Sequence, residues 1–201
     1  MFPLRWISLP VLTVVLTACS SSLTGLGAPT ATPSAGPPVA TTTVPVSSGT
    51  GGSYPTRCQA RDHNELPDPR CSPGATNPAV TQATVGRTIC RSGYTARIRP
   101  AESVTEAIKR RAIRAYGDYA GPRLGSYELD HLISLELGGA PSDVRNLWPE
   151  KGEHNAKDPV ENAAKKAVCS GHMSLAAAQQ EIATNWIALG HQLNVPGIPS
   201  S

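Results

Sequence analysis

The sequence predicts an α+β domain: a short strand, a loop, a return strand and a helix, flanked by further helices and stapled by disulfides, behind a disordered tether. Three observations carry this. The apolar run from Leu129 to Leu137 stops at Gly138-Gly139 and is followed by a second short run, Asn146 to Trp148, which reads as a strand, a loop and a return strand. Helical spacing brackets that pair, with Ile108, Ala112 and Ala115 before it and Leu175, Ala178, Ile182, Trp186 and Leu189 after it. Cys58, Cys71, Cys90 and Cys169 make an even set with no C-x-x-C pair, which favours two disulfides over a zinc knuckle.

Residues 1–18 read as an export signal, because Arg5 precedes an apolar stretch too short for a membrane span. They end in Leu16-Thr17-Ala18-Cys19, which resembles a bacterial lipobox, although an ordinary secretory signal beside a chance cysteine accounts for the same residues. The resemblance implies cleavage before Cys19, lipid attachment to that residue, and a protein anchored on the outer face of the bacterial cell membrane. Residues 19–53 follow as a lipid-anchored linker: Ser20 to Ser53 is almost entirely Ser, Thr, Gly, Pro, Ala and Val, with no charge and no aromatic ring. Such a composition buries too little apolar surface to offset the entropy of ordering.

Residues 54–86, rich in Pro, Asn and Asp, read as an irregular arm pinned by a disulfide. Four cysteines allow about three pairings. Cys58 with Cys71 and Cys90 with Cys169 is preferred, the first closing a short Pro-rich loop and the second joining the ends of the segment richest in regular structure. Residues 87–190 hold the structured domain, and 191–201 a flexible tail. Thr88 to Pro100 carries strand formers around Ser92-Gly93, so one or two short strands are expected there. Ser103 with Glu106 three residues later suggests a capping box opening a helix that Gly117 stops. Another helix is expected from about His154 to Val168, with Pro159 tolerated if the helix begins near Asp158, and a final one from Ser174 to Gly190.

Net charge is only +3, but Arg87 to Arg123 holds nine Lys or Arg against three acids, a local excess of six. A phosphate backbone suits such a patch, as does plain solvation of a helix face. Lys109, Arg110, Arg111 and Arg114 fall on the polar side of the helix there, so Arg110, Arg111 and Arg114 are candidate nucleic-acid contacts. His63, His172 and His191 stand in turn-like contexts, and Trp148 and Trp186 read as core.

Asp130-His131, the Gly-Gly loop, Asn146-Leu147 and His154-Asn155 followed by Lys157 resemble the HNH nuclease motif. Asn155 stands nine positions after Asn146, the family's usual spacing for its third motif residue. The likeness extends from Tyr94 to Trp186 through RAYG, DHLISLELGG, NLWPE, VCSG and AQQEIATNW, which look like pieces of a group of exported bacterial HNH proteins. It implies the ββα-metal fold, a hairpin packed on a helix around one divalent metal.

What the resemblance implies chemically is hydrolysis of phosphodiester bonds in extracytoplasmic DNA or RNA, with His131 as general base and no nucleotide cofactor. Asp130 and Asn155 would be metal ligands, with His154 as substitute or addition, for Mg2+ first and Mn2+, Ni2+ or Zn2+ as alternatives. Asn146 would orient the loop or the base, and Lys157 would hold a flanking phosphate. Neighbouring strand residues point to opposite faces, so Asp130 and His131 share a site only if the backbone bends or the carboxylate wraps the edge. The alternative is a non-catalytic envelope lipoprotein that keeps the same fold for binding or structure.

Overall fold

The computed structural model describes residues 53–55, 57–117, 124–152 and 156–200, with Leu124 by its backbone alone. The expected export signal, the expected lipidation site Cys19, the expected linker except Ser53, and the expected ligands His154 and Asn155 lie outside these residues. The described chain mixes helix and strand. Its helices are α1 (Tyr94–Ile98), α2 (Glu102–Ala115), α3 (Lys157–Cys169) and α4 (Leu175–Gln192), and its strands are β1 (Tyr127–His131) and β2 (Leu147–Lys151). The strands pair antiparallel, with Asp130 opposite Trp148 and His131 opposite Leu147. No described helix is long and apolar enough to cross a membrane.

β1 is shorter than the apolar run suggested. Leu132, Ile133, Leu135 and Leu137 are all buried, without the alternation a two-faced strand needs, and the chain leaves the ladder after His131 for a 3-10 turn at Leu135–Leu137. Gly138 closes that turn at φ +75°, where an added Cβ would stand 2.5 Å from Val80. At Gly139 a Cβ would fall 1.7 Å from the Ile133 carbonyl oxygen, so only glycine fits.

The strands expected between Thr88 and Pro100 do not form. The two described strands pair only with each other, and this segment is instead turns plus α1, with Ile89 buried in the core. α2 also departs from expectation: it starts at Glu102, its N-cap Ala101 makes no side-chain bond, and Glu106 pairs with Arg110 at 2.8 Å rather than reaching back to Ser103. Ser174 does cap α4, accepting from the Ala177 N–H at 3.1 Å. Within α4, Asn185 leaves helical geometry and its side chain accepts from the Ala188 N–H, restarting the helix after a kink.

The main core lies between α3 and α4, where Val160, Ala164 and Val168 meet Ala178, Ile182 and Trp186. Each fully buried aliphatic there contributes roughly 1.5–3 kcal/mol. A smaller cluster seats α2 on the strand pair through Ile108, Val144 and Leu147. The arm lacks long elements but is not peripheral, since Tyr54 and Ser72 both donate to the Leu147 carbonyl, at 2.8 and 2.9 Å. Nor is the segment after α4 loose: Ile198 packs on the core and stands 2.9 Å from where a Cβ on Gly190 would be. The disulfides are Cys58–Cys71 and Cys90–Cys169, the expected pairing.

Candidate active site

The site is built at the end of β1, where the strand stops and three backbone segments converge. Asn146, fully buried, clasps the loop: its Nδ2 donates to the carbonyls of Ile133 (2.9 Å) and Ala140 (3.1 Å), and its Oδ1 accepts from the Ile133 N–H at 2.9 Å. That clasp fixes the residue before Pro141, and the Pro141 carbonyl in turn holds the imidazole of His131, 3.0 Å from Nε2. Asn146 is therefore a positioning residue that acts through the loop. It does not line the cleft.

A carbonyl oxygen can only accept, so Nε2 carries the hydrogen and a neutral ring presents its lone pair at Nδ1. No described residue bonds Nδ1. Burial holds the imidazole below the usual histidine pKa; the Pro141 bond and the Asp130 charge oppose that shift, and Arg99 and Lys157 add to it. At neutral pH the ring is an uncharged base.

Asp130 is engaged very differently. Its Oδ2 accepts from Lys157 Nζ at 2.7 Å and from Trp148 Nε1 at 3.4 Å. Lys157 opens α3, is 0% exposed, and also donates to the His131 carbonyl (2.9 Å) and to Glu161. Burial disfavours its charge, but Asp130, Glu161 and Glu150 outweigh that and raise its pKa. The sequence suggested Lys157 as a phosphate contact. The structure corrects this: an ammonium sealed from solvent among carboxylates ties the head of α3 to the end of β1.

Carboxylates outnumber the cation they surround. Glu161 is pushed up to about 7, first by burial and against the pull of Lys157. Glu150, on β2 and 3% exposed, is pushed up to about 9, by burial and then by the charge of Asp130. Glu128 is also raised, by burial and by Asp130.

Glu128, Asp130, His131 and Glu161 border a cleft of about 230 Å³. β1 lines it with Glu128, Asp130 and His131, the 3-10 turn with Ser134 and Glu136, α3 with Asp158 and Glu161, and the end of α1 with Arg99. Asp130 and His131 thus face one space despite their adjacency, because His131 is the last residue of the strand. Ser134 Oγ and Glu136 Oε2, both buried, lack a hydrogen-bond partner among the described residues. A groove between α2 and β1, lined by Lys109, Tyr127 and Glu128 among others, meets the cleft at Glu128. Arg110, Arg111 and Arg114 are exposed on α2, Arg110 already paired with Glu106.

The cleft wall is rich in hard oxygen donors, the chemistry a divalent cation requires. Among the described residues no group of three His, Cys, Asp or Glu side chains is spaced to hold a metal ion. Asp130 is the one expected ligand that is described. Sequence reasoning missed Arg99 and Ser134 as part of the site, and gave Glu128 and Glu161 no place in it. The two glutamates carried a signal, Glu128 two residues before Asp130 on a strand and Glu161 one helical turn after Lys157. The Pro141 carbonyl carried none, because a backbone oxygen has no residue signature.

No family model, no curated protein and no solved structure matches this chain.

Proposed function

We propose that this chain is a phosphodiester hydrolase of the HNH kind, acting on DNA or RNA outside the cytoplasm, with His131 as general base. One observation carries the reading: the Pro141 carbonyl fixes the imidazole in the tautomer that turns the Nδ1 lone pair free, in a ring that burial keeps neutral, at the wall of an oxygen-rich cleft. Such a base takes a proton from water at physiological pH. Asp130, together with His154 or Asn155, would hold a divalent ion, Mg2+ first, which supplies neutralisation of the charge that builds on the phosphoryl oxygens. Asn146 keeps the base in place, and the exposed arginines of α2 hold flanking phosphates. Lipidation at Cys19 would keep the enzyme on the outer face of the membrane.

The test is cleavage of plasmid and of RNA by the purified chain with Mg2+ or Mn2+, with His131→Ala beside it. A loss of at least about 10²-fold in the variant, and suppression of the wild type by EDTA, is expected. Equal, EDTA-insensitive cleavage by both proteins would exclude this mechanism. The Asp130–Lys157 pair favours a second reading, in which the carboxylate only supports the fold and the domain binds without cutting. That reading calls for salt-sensitive binding and no products.

A further inference from the structure

Several of the described lysine and arginine side chains are engaged by the protein itself. Arg70 pairs with Asp68, Arg110 with Glu106, Arg145 with Asp143, and Lys165 with Glu136. Lys157 is enclosed by its carboxylates, and Arg97 lies over the ring of Tyr94. Arg99 differs. It borders the cleft with Glu128, Asp130 and Asp158, and its guanidinium makes no ion pair or hydrogen bond among the described residues.

Its backbone is well fixed. Arg99 caps α1 at φ −62° and ψ 124°, its N–H bonds the Thr95 carbonyl at 2.9 Å, and Pro100 restricts it to extended geometry. A held backbone thus places an unpaired cation at the edge of this cleft. Of the described residues that line the cleft, Arg99 is the only one that carries a positive charge. It shares that wall with His131.

An anion that approaches Nδ1 of His131 through a wall of carboxylates meets one surface cation. We infer that Arg99 binds the non-bridging oxygens of the phosphodiester to be cut, so that the planar fork of its guanidinium orients the phosphorus toward the water that His131 deprotonates. This rests on the hydrolytic reading above and adds the residue that recognises the anion. Two parallel N–H donors match two phosphoryl oxygens, which a lysine's point charge does not.

The test uses the full chain with bis(p-nitrophenyl) phosphate, a diester too small to reach the α2 arginines, in Mg2+ or Mn2+. Arg99→Ala is expected to lower kcat/KM about 100-fold with the melting temperature unmoved. Arg99→Lys should recover only part of that loss, and added guanidinium ion should partly rescue Arg99→Ala, which a merely structural role would not allow. A second readout needs no turnover: titration of inorganic phosphate in Mg2+ buffer, followed by NMR at the Arg99 Nε–H and the His131 ring. Saturable shifts are expected in the wild type and their loss at His131 in Arg99→Ala. If the wild type cleaves while Arg99→Ala stays within twofold and keeps the phosphate shifts, this assignment is wrong and the hydrolytic reading stands. If phosphate shifts the wild type alone but nothing is cleaved, the anion site stands and the hydrolytic reading falls. Neither cleavage nor shifts would remove both.

Discussion

On either side of one peptide bond, Asp130 and His131 meet opposite treatment. The carboxylate of Asp130 accepts from a sealed lysine and an indole, contacts that belong to folding. The imidazole of His131 is gripped at one nitrogen only, by a backbone carbonyl that another residue holds in place, and its second nitrogen has no partner among the described residues. The difference teaches that burial alone does not tell how fully a polar group is engaged, since both side chains are buried. What separates them is how much of each group's hydrogen-bonding capacity the protein itself uses.

The largest effect should come from breaking the structural half. Lys157→Met leaves Asp130 and Glu161 buried beside an apolar chain, and is expected to cost about 3–5 kcal/mol in urea-induced unfolding. A loss below about 1 kcal/mol would mean that the ammonium does not hold α3 to β1. Next, Asn146→Ala removes three hydrogen bonds and leaves their backbone partners buried, for about 2–4 kcal/mol. Because Asn146 acts through Pro141, cleavage by the folded variant should also fall. Stability lost with undiminished cleavage would cut the proposed link between the loop clasp and the base.

Protonation sharpens the contrast further. Glu161 and Glu150 are raised from 4.5 to about 7 and about 9, so between those limits the folded state binds more protons than the unfolded one. Their contribution is complete below about pH 4.5 and declines as pH rises through 7 and then 9. His131, with its pKa lowered, contributes in the opposite direction: its share is present above 6.5 and lost as pH falls through the folded value. Urea midpoints from pH 5 to 9 should therefore decline on the alkaline side, and Glu150→Gln should flatten the upper part of that decline. The acid limb of kcat/KM, which follows the base, should lie below 6.5. The smallest effect on stability, within about 0.5 kcal/mol, is expected from Arg110, Arg111 and Arg114 changed together to Ala. The same variant should weaken double-stranded DNA binding and lower the slope of log K against log salt by about 0.9 for each phosphate no longer neutralised.

Legibility in the sequence followed the range of the interactions involved. The strand pair, the last helix with its Ser174 cap and both disulfides could be read, because apolar spacing, a capping hydroxyl and cysteine parity are local or countable. Strands were wrongly expected before Pro100, since strand formers specify nothing without a partner strand. The role of Lys157 was misjudged for a similar reason: a lysine beside acidic residues reads as a surface charge until the fold encloses it. Asp130 and His131 were visible as a pair, but the inequality between them depends on a lysine 27 positions on and a carbonyl 10 positions on. Neither leaves a mark at the pair itself.

The Cys90–Cys169 bridge joins the segment leading into α1 to the far end of α3. Arg99 rides on the first of these and Asp158 and Glu161 on the second, so one covalent bond couples opposite walls of the cleft across 79 positions of chain. Reduction of that bridge would therefore free the α1 segment from α3 and loosen the spacing of Arg99 from Asp158 and Glu161.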